Sequence, residues 1–260
     1  MSGYTSLHER GDKCTRRRAY IRLYPNTSYE ENYYLSKSDD IPSAIDGAFS
    51  SLLSADAVTY YNVQRMNSSS VSYPDLRFSD KDEMKDKFES YLETGYKNGI
   101  GQNLKNRTGI HMLVHSEGCD LSTAGGEHAD DCDSPSAFNR GVMAFTGAAC
   151  STFDGLQRNS AIQEPVHGFI RFSQIKGSAL VGGSSSTYDE HRLGEVRDRK
   201  VTPMLTYHAN ESDQYGAGTC DGDGTQMDGY DQRLTDCTIE AVRQTSNNQC
   251  NGQQPKPDNC

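Results

Sequence analysis

Short apolar segments alternate with amphipathic helical patterns along the first two thirds of this chain. The segments Ala19 to Tyr24 and Ala57 to Val63 are rich in apolar, β-branched and aromatic residues, which predicts two strands. Between them lies a predicted helix that Asp39 or Asp40 can cap and that has Pro42 in its first turn. Its apolar stripe consists of Ile41, Ile45, Phe49, Leu52 and Leu53. This order predicts an α/β (α+β) protein with a mixed sheet packed on helices.

The same alternation continues after a serine-rich loop. Asp80 to Tyr96 is predicted to form an amphipathic helix, with Asp80 and Glu83 as its capping box. Strands are predicted from Ile110 to His115 and from Val142 to Phe145. A further short helix is predicted near Cys237 to Gln244. The stripe of the Asp80 helix consists of Met84, Phe88, Tyr91 and Leu92.

Two histidines fall on the predicted strand that begins at Ile110. His111 and His115 share one face of this strand with Leu113, because side chains alternate between the two faces of a sheet. A structural role is favoured for both over a role as metal ligands.

The length of 260 residues suits one domain, because no stretch resembles a linker between two. We therefore predict a single domain over residues 1–260. Its N-terminal subdomain spans about 15–175, and its loop-rich C-terminal subdomain spans about 176–260.

Eight cysteines are scattered along the chain and form no C-x-x-C pair. This spacing favours disulfides over a thiolate zinc site or a redox motif, so the C-terminal part is predicted to be disulfide-braced. Four N-x-S/T sequons also favour a secreted, extracellular glycoprotein. The sequons begin at Asn26, Asn67, Asn106 and Asn210.

The net charge of −10 disfavours two classes of partner. Nucleic acids and anionic membranes carry phosphates that an acidic surface repels. The chain shows neither a signal peptide nor an apolar run long enough to span a membrane. We therefore expect no nucleic-acid partner and no membrane span.

The stretch Gln163-Glu164-Pro165-Val166-His167 holds the residues that most suggest a metal-binding or catalytic site. In a helix, positions 163 and 167 lie one turn apart on the same face, so two side chains there can hold one metal ion while Glu164 polarises a water molecule. Asn159 is a plausible cap for this helix. Pro165 leaves two alternatives: a kinked helix, or a helix that begins near Gln163 with Pro165 in its first turn.

This arrangement resembles the zincin metallopeptidases, over roughly Ala19 to Thr206. In that family a sheet lies behind a helix with the motif H-E-x-x-H, and Gln163 replaces the first histidine here. In the metzincin branch a third histidine follows, and a turn with methionine lies beneath the metal; His191 and Met204 are similar to these parts. The resemblance implies a secreted, zinc-dependent peptidase with Glu164 as catalytic base and His167 and His191 as zinc ligands.

Two departures from the family pattern bear on activity. His191 lies 24 positions after His167, and Gly168 follows His167 directly, so the metzincin spacing is absent. A glutamine amide is also a much poorer zinc ligand than an imidazole. The substitute ligands are Gln163 itself, Glu190 or His208. A degenerate zincin is therefore one hypothesis, beside an active peptidase that cleaves peptides or proteins.

Two further hypotheses stay open. A non-catalytic extracellular binding or structural glycoprotein would use the same helix for packing, with Gln163 in ordinary hydrogen bonds. The glycine-rich acidic loop after Cys220 resembles a calcium loop without the glutamate at the twelfth position of an EF-hand. Its carboxylates, which could bind calcium, are Asp221, Asp223 and Asp228.

Overall fold

A five-stranded mixed sheet forms the centre of the molecule in the computed structural model. The structure describes residues 4–27, 36, 39–67, 74–77, 80–94, 107–116, 137–138, 141–147, 155–171, 175, 180, 190–205 and 229–247. The sheet strands are β1 (Tyr4–Gly11), β2 (Arg18–Pro25), β3 (Tyr60–Met66), β4 (Gly109–His115) and β5 (Gly141–Gly147). The helices of the described part are α1 (Asp40–Ser54), α2 (Lys81–Thr94), α3 (Leu156–His167) and α4 (Asp236–Asn247). The prediction of a mixed α/β fold is confirmed.

The strand order is β1-β3-β2-β4-β5. Strands β3, β2, β4 and β5 run parallel, and β1 pairs antiparallel with β3 at one edge. The register places Ile21 opposite Ile110, and Ile110 opposite Val142. Because side chains alternate along a strand, these three residues lie on one face of the sheet and their neighbours lie on the other.

One face of the sheet is covered by α1, α3 and α4. The predicted α1 stripe is buried there, except that Leu53 is half-buried. Phe169, just after α3, packs edge-on against Phe49 of α1 and against Phe138, with ring centroids 5.5 and 4.8 Å apart. Each such fully buried phenylalanine contributes about 1.5–3 kcal/mol through burial. These contacts hold α3 firmly against the sheet and α1.

Helix α2 covers the opposite face. Met84, Phe88 and Leu92 are buried against Tyr24 and Leu113 of the sheet. Asp80 Oδ1 accepts a hydrogen bond from the Glu83 backbone N–H at 2.9 Å, as a capping box requires. The predicted start of this helix is therefore confirmed.

A second, small sheet lies in the C-terminal part. It consists of β6 (Val196–Arg197), β7 (Lys200–Val201) and β8 (Gly229–Tyr230). Two short 3-10 turns flank the β6–β7 hairpin, at Glu190–Leu193 and Pro203–Leu205. Helix α4 contributes Ala241 and Val242 to the main core. Cys14 and Cys237 are both disulfide-bonded, and their pairing lies outside the described residues.

The sequon at Asn26 is built into the core. Asn26 is only 1% exposed, its Nδ2 donates to Leu76 O, and its Oδ1 accepts from Leu76 N, both at 2.9 Å. This buried side chain leaves no room for a glycan, and in the folded protein Asn26 bridges two chain segments. Asn106 and Asn210 lie outside the described residues.

No helix in the described part of the chain is both long enough and apolar enough to cross a membrane.

Candidate functional site

Helix α3 runs unbroken from Leu156 to His167, with Pro165 in its last turn. The alternative in which the helix begins near Gln163 is therefore wrong. A proline in the last turn removes the bond that its N–H would make to the carbonyl four residues earlier. The stripe that packs α3 on the sheet is buried and comprises Ile162, Val166, Phe169 and Ile170.

The prediction that Asn159 caps α3 is also wrong, since the N-cap residue is Gly155. Asn159 is fully buried within the helix, and its Nδ2 donates to Val201 O at 3.0 Å and to Asp231 O at 2.6 Å. These bonds tie α3 to the small sheet, because Val201 belongs to β7 and Asp231 follows β8.

The end of α3 approaches the sheet closely. A Cβ atom on Gly168 would lie 2.3 Å from Ile110 Cδ1 and 3.2 Å from Val142 Cγ1. A side chain at this position would force the Ile110 side chain or the end of the helix to shift. The glycine directly after His167 therefore lets the end of α3 lie this close to the sheet.

Gln163 and His167 contact each other on one face of α3. Gln163 Nε2 lies 3.3 Å from His167 Nε2. An amide nitrogen only donates, so in this arrangement the His167 Nε2 lone pair accepts the bond and the ring proton is on Nδ1. Gln163 Oε1 is buried and has no hydrogen-bond partner in the described part of the chain.

His191 lies beside His167 although 24 positions separate them in the sequence. The two imidazole rings meet edge to face, with centroids 5.0 Å apart and planes at 74°. His191 belongs to the Glu190–Leu193 turn and is half-buried, whereas Gln163, Glu164 and His167 are 2%, 2% and 5% exposed. The structure thus brings half-buried His191 to the buried face of α3 that carries His167.

Met204 lies in the Pro203–Leu205 turn and is buried in the main core. This turn packs against both α3 and the turn that carries His191. A Cβ atom on Gly194 would lie 2.4 Å from Leu205 N and 2.9 Å from the Met204 carbonyl carbon. The two turns therefore touch through their backbones.

The β6–β7 hairpin links these two turns. Thr202 Oγ1 accepts from Glu195 N at 2.8 Å and donates to Glu195 O at 3.0 Å. Asp198 and Arg199, between the strands, both have positive φ, as a two-residue hairpin turn requires. The hairpin holds His191 and Met204 at a fixed separation.

Several predicted residues lie outside the part of the chain that the structure describes. They are the Glu190 side chain, His208, and the predicted calcium ligands Asp221, Asp223 and Asp228. Among the described residues, no group of three His, Cys, Asp or Glu side chains could hold a metal ion.

Sequence reasoning missed how the site is positioned. It took Asn159 for a cap, whereas this side chain bonds to residues 42 and 72 positions away. The roles of Gly168, Gly194 and Thr202 follow from the atoms packed against them, which no local pattern marks.

No protein-family model matches this chain, and no curated protein matches it significantly.

Proposed function

We propose that this chain is a secreted protein of zincin-like fold whose peptidase metal site is degenerate, so that it acts by binding and not by hydrolysis. The fold part of this proposal is supported by the sheet behind α3, by the His167–His191 contact and by the Met204 turn that packs against both. Secretion is supported by the eight scattered cysteines.

The contact between Gln163 and His167 carries the degenerate part of the proposal. Two ligands on a tetrahedral zinc with Zn–N bonds of about 2.0–2.1 Å are about 3.3 Å apart. The amide nitrogen of Gln163 lies at this separation from His167 Nε2, but it donates a hydrogen bond where a ligand would offer a lone pair. The donor set of two imidazoles and one amide does not fit a zinc site of peptidase strength.

The burial of Glu164 also supports a site that does not hydrolyse peptides. A glutamate that takes a proton from water must meet that water and the substrate, within hydrogen-bond reach. Glu164 is 2% exposed in this structure. The candidate catalytic base is therefore covered in the conformation described here.

An active zinc peptidase is the second candidate, and the adjacent imidazoles of His167 and His191 favour it. If the side-chain amide of Gln163 is rotated so that its oxygen and nitrogen exchange places, the oxygen faces His167 and offers a lone pair. His167, His191 and this oxygen would then be the ligands, with Glu164 as the base. Zinc in such a site would polarise the scissile carbonyl of a peptide.

A peptide-library cleavage assay with excess zinc separates the two candidates. We expect no cleavage by the wild-type protein above that of Glu164→Gln, which has the same shape and lacks the base. Cleavage that zinc stimulates and that Glu164→Gln abolishes would support the active peptidase and contradict the degenerate site.

A further inference from the structure

A buried arginine lies on the face of the sheet opposite α3. Arg22 of β2 is buried, with 8% of its surface exposed. Its Nη1 donates to Thr108 O at 2.7 Å, and its guanidinium carbon lies 5.3 Å from the centre of the Tyr20 ring and 5.6 Å from that of Tyr4. Its Nε has no hydrogen-bond partner in the described part of the molecule.

Arg107 contacts the same tyrosine ring as Arg22. Its guanidinium carbon lies 5.5 Å from the centre of the Tyr4 ring. The Arg107 side chain is half-buried, so solvent reaches part of it. Burial lowers the pKa of Arg22, and the charge of Arg107 lowers it further, which shows that the two cations repel each other.

No carboxylate neutralises this pair within the described residues. Neither Arg22 nor Arg107 takes part in any of the ion pairs there, in a protein with ten more acidic than basic residues. Contacts with the faces of two tyrosine rings offset only part of the cost of burying a guanidinium.

The backbone of Arg107 is fixed in place by a neutral histidine. His111 Nε2 donates to Arg107 O at 2.8 Å, since a carbonyl oxygen only accepts. His111 Nδ1 therefore accepts from the Tyr24 hydroxyl at 2.7 Å, and the Tyr24 oxygen lies 2.6 Å from the Tyr4 hydroxyl. This chain of bonds orders both the Tyr4 ring and the start of β4, and adds no charge of its own.

We propose that Arg22 and Arg107 form a binding site for a small oxyanion, a group with two or more oxygens that share negative charge. A guanidinium offers parallel N–H donors that match such a group, and two guanidiniums on a fixed support would each contribute donors. The anion would enter past Arg107 and neutralise both cations. This site is separate from the candidate metal site on α3.

Thermal unfolding in the presence of defined anions tests this site. The full chain is dialysed into chloride buffer and titrated with sodium phosphate, sodium sulfate or sodium acetate, with ionic strength held constant by sodium chloride. We expect the Tm to rise by about 3 °C at about a tenfold excess over the dissociation constant and to go on rising with the logarithm of the anion concentration. A rise with phosphate or sulfate that depends on Arg107 identifies a tetrahedral oxyanion, and one with acetate alone identifies a carboxylate.

Two charge-matched variants distinguish a site from a general salt effect. Arg107→Gln should abolish most of the rise, and because this side chain is half-buried the variant should still fold. Arg16→Gln removes the same charge from an exposed position and should keep the rise. The proposal is overturned if no anion raises the Tm of the wild type, or if Arg107→Gln shows the same rise as Arg16→Gln.

Discussion

Gly194 brings the turn that carries His191 against the turn that carries Met204. A methyl group there would lie 2.4 Å from the backbone nitrogen of Leu205, and backbone cannot rotate away as a side chain can. We predict that Gly194→Ala lowers the free energy of unfolding by about 1–3 kcal/mol, measured by urea denaturation.

Gly47 provides the matched control for that substitution. It lies exposed within α1, and a Cβ atom there would meet nothing within 4 Å. Gly47→Ala should therefore raise stability by about 0.5–1 kcal/mol, as alanine does in an open helical position. Equal effects of the two substitutions would contradict the close approach of the two turns.

At the scale of the element, Asn159 holds α3 against the small sheet. Loss of its amide leaves two buried carbonyl oxygens, of Val201 and Asp231, without this donor. Asn159→Ala should cost about 1–3 kcal/mol in urea denaturation. Gln157→Ala on the same helix lies at a half-buried position and should cost little, because alanine is the better helix former. If Asn159→Ala leaves the free energy of unfolding unchanged, packing alone holds α3.

The elements that the sequence predicted are those whose pattern is local. Helices α1 and α2 and strands β4 and β5 follow from apolar spacing and caps, and the structure has them within a few residues of the predicted bounds. Strand β1 was missed because its sequence, Tyr4–Gly11, is mostly polar and lies at the edge of the sheet. The predicted strand from Ala57 begins only at Tyr60. Ala57 and Val58 are buried, which explains their apolar character, but they precede the strand.

The candidate site was predictable only in part, for the same reason. The spacing of Gln163, Glu164 and His167 within one helix follows from the sequence alone. The contact between His167 and His191 depends on a hairpin and two turns, and their packing involves backbone atoms that no sequence pattern marks. The proposed zinc and calcium ligands in the segments outside the described residues stay predictions.

On the scale of the whole molecule, the face under α2 makes stability depend on pH. Burial lowers the pKa of His115 from 6.5 to about 4. The pKa of His111 is lowered to about 3, first by burial and then by the charge of Arg22. The unfolded chain therefore binds more protons than the folded chain below about pH 6.5, so stability falls as pH drops from there towards 4. Asp46 and Asp231 add to this fall only below about pH 5, where aspartates of the unfolded chain begin to bind protons. Although burial alone would raise their pKa values, bonds from Tyr61 and Arg233 hold them below 3.8.

Replacing one of these histidines tests that pH dependence. His115→Gln removes one group that titrates only in the unfolded chain, so its Tm should fall less than that of the wild type between about pH 7 and pH 5. The Tm is measured by calorimetry in buffers of matched ionic strength. An equal fall in both proteins would show that His115 is protonated in the folded state.

Zinc content tests the central claim most directly. Wild-type protein and the variants Gln163→His and Gln163→His/His167→Ala are incubated with zinc, dialysed without chelator and analysed for the element. We predict little zinc in the wild type, about one zinc per chain in Gln163→His, and its loss in the double variant, because a third imidazole completes the donor set. About one zinc per chain in the wild type that His167→Ala removes would contradict the degenerate site.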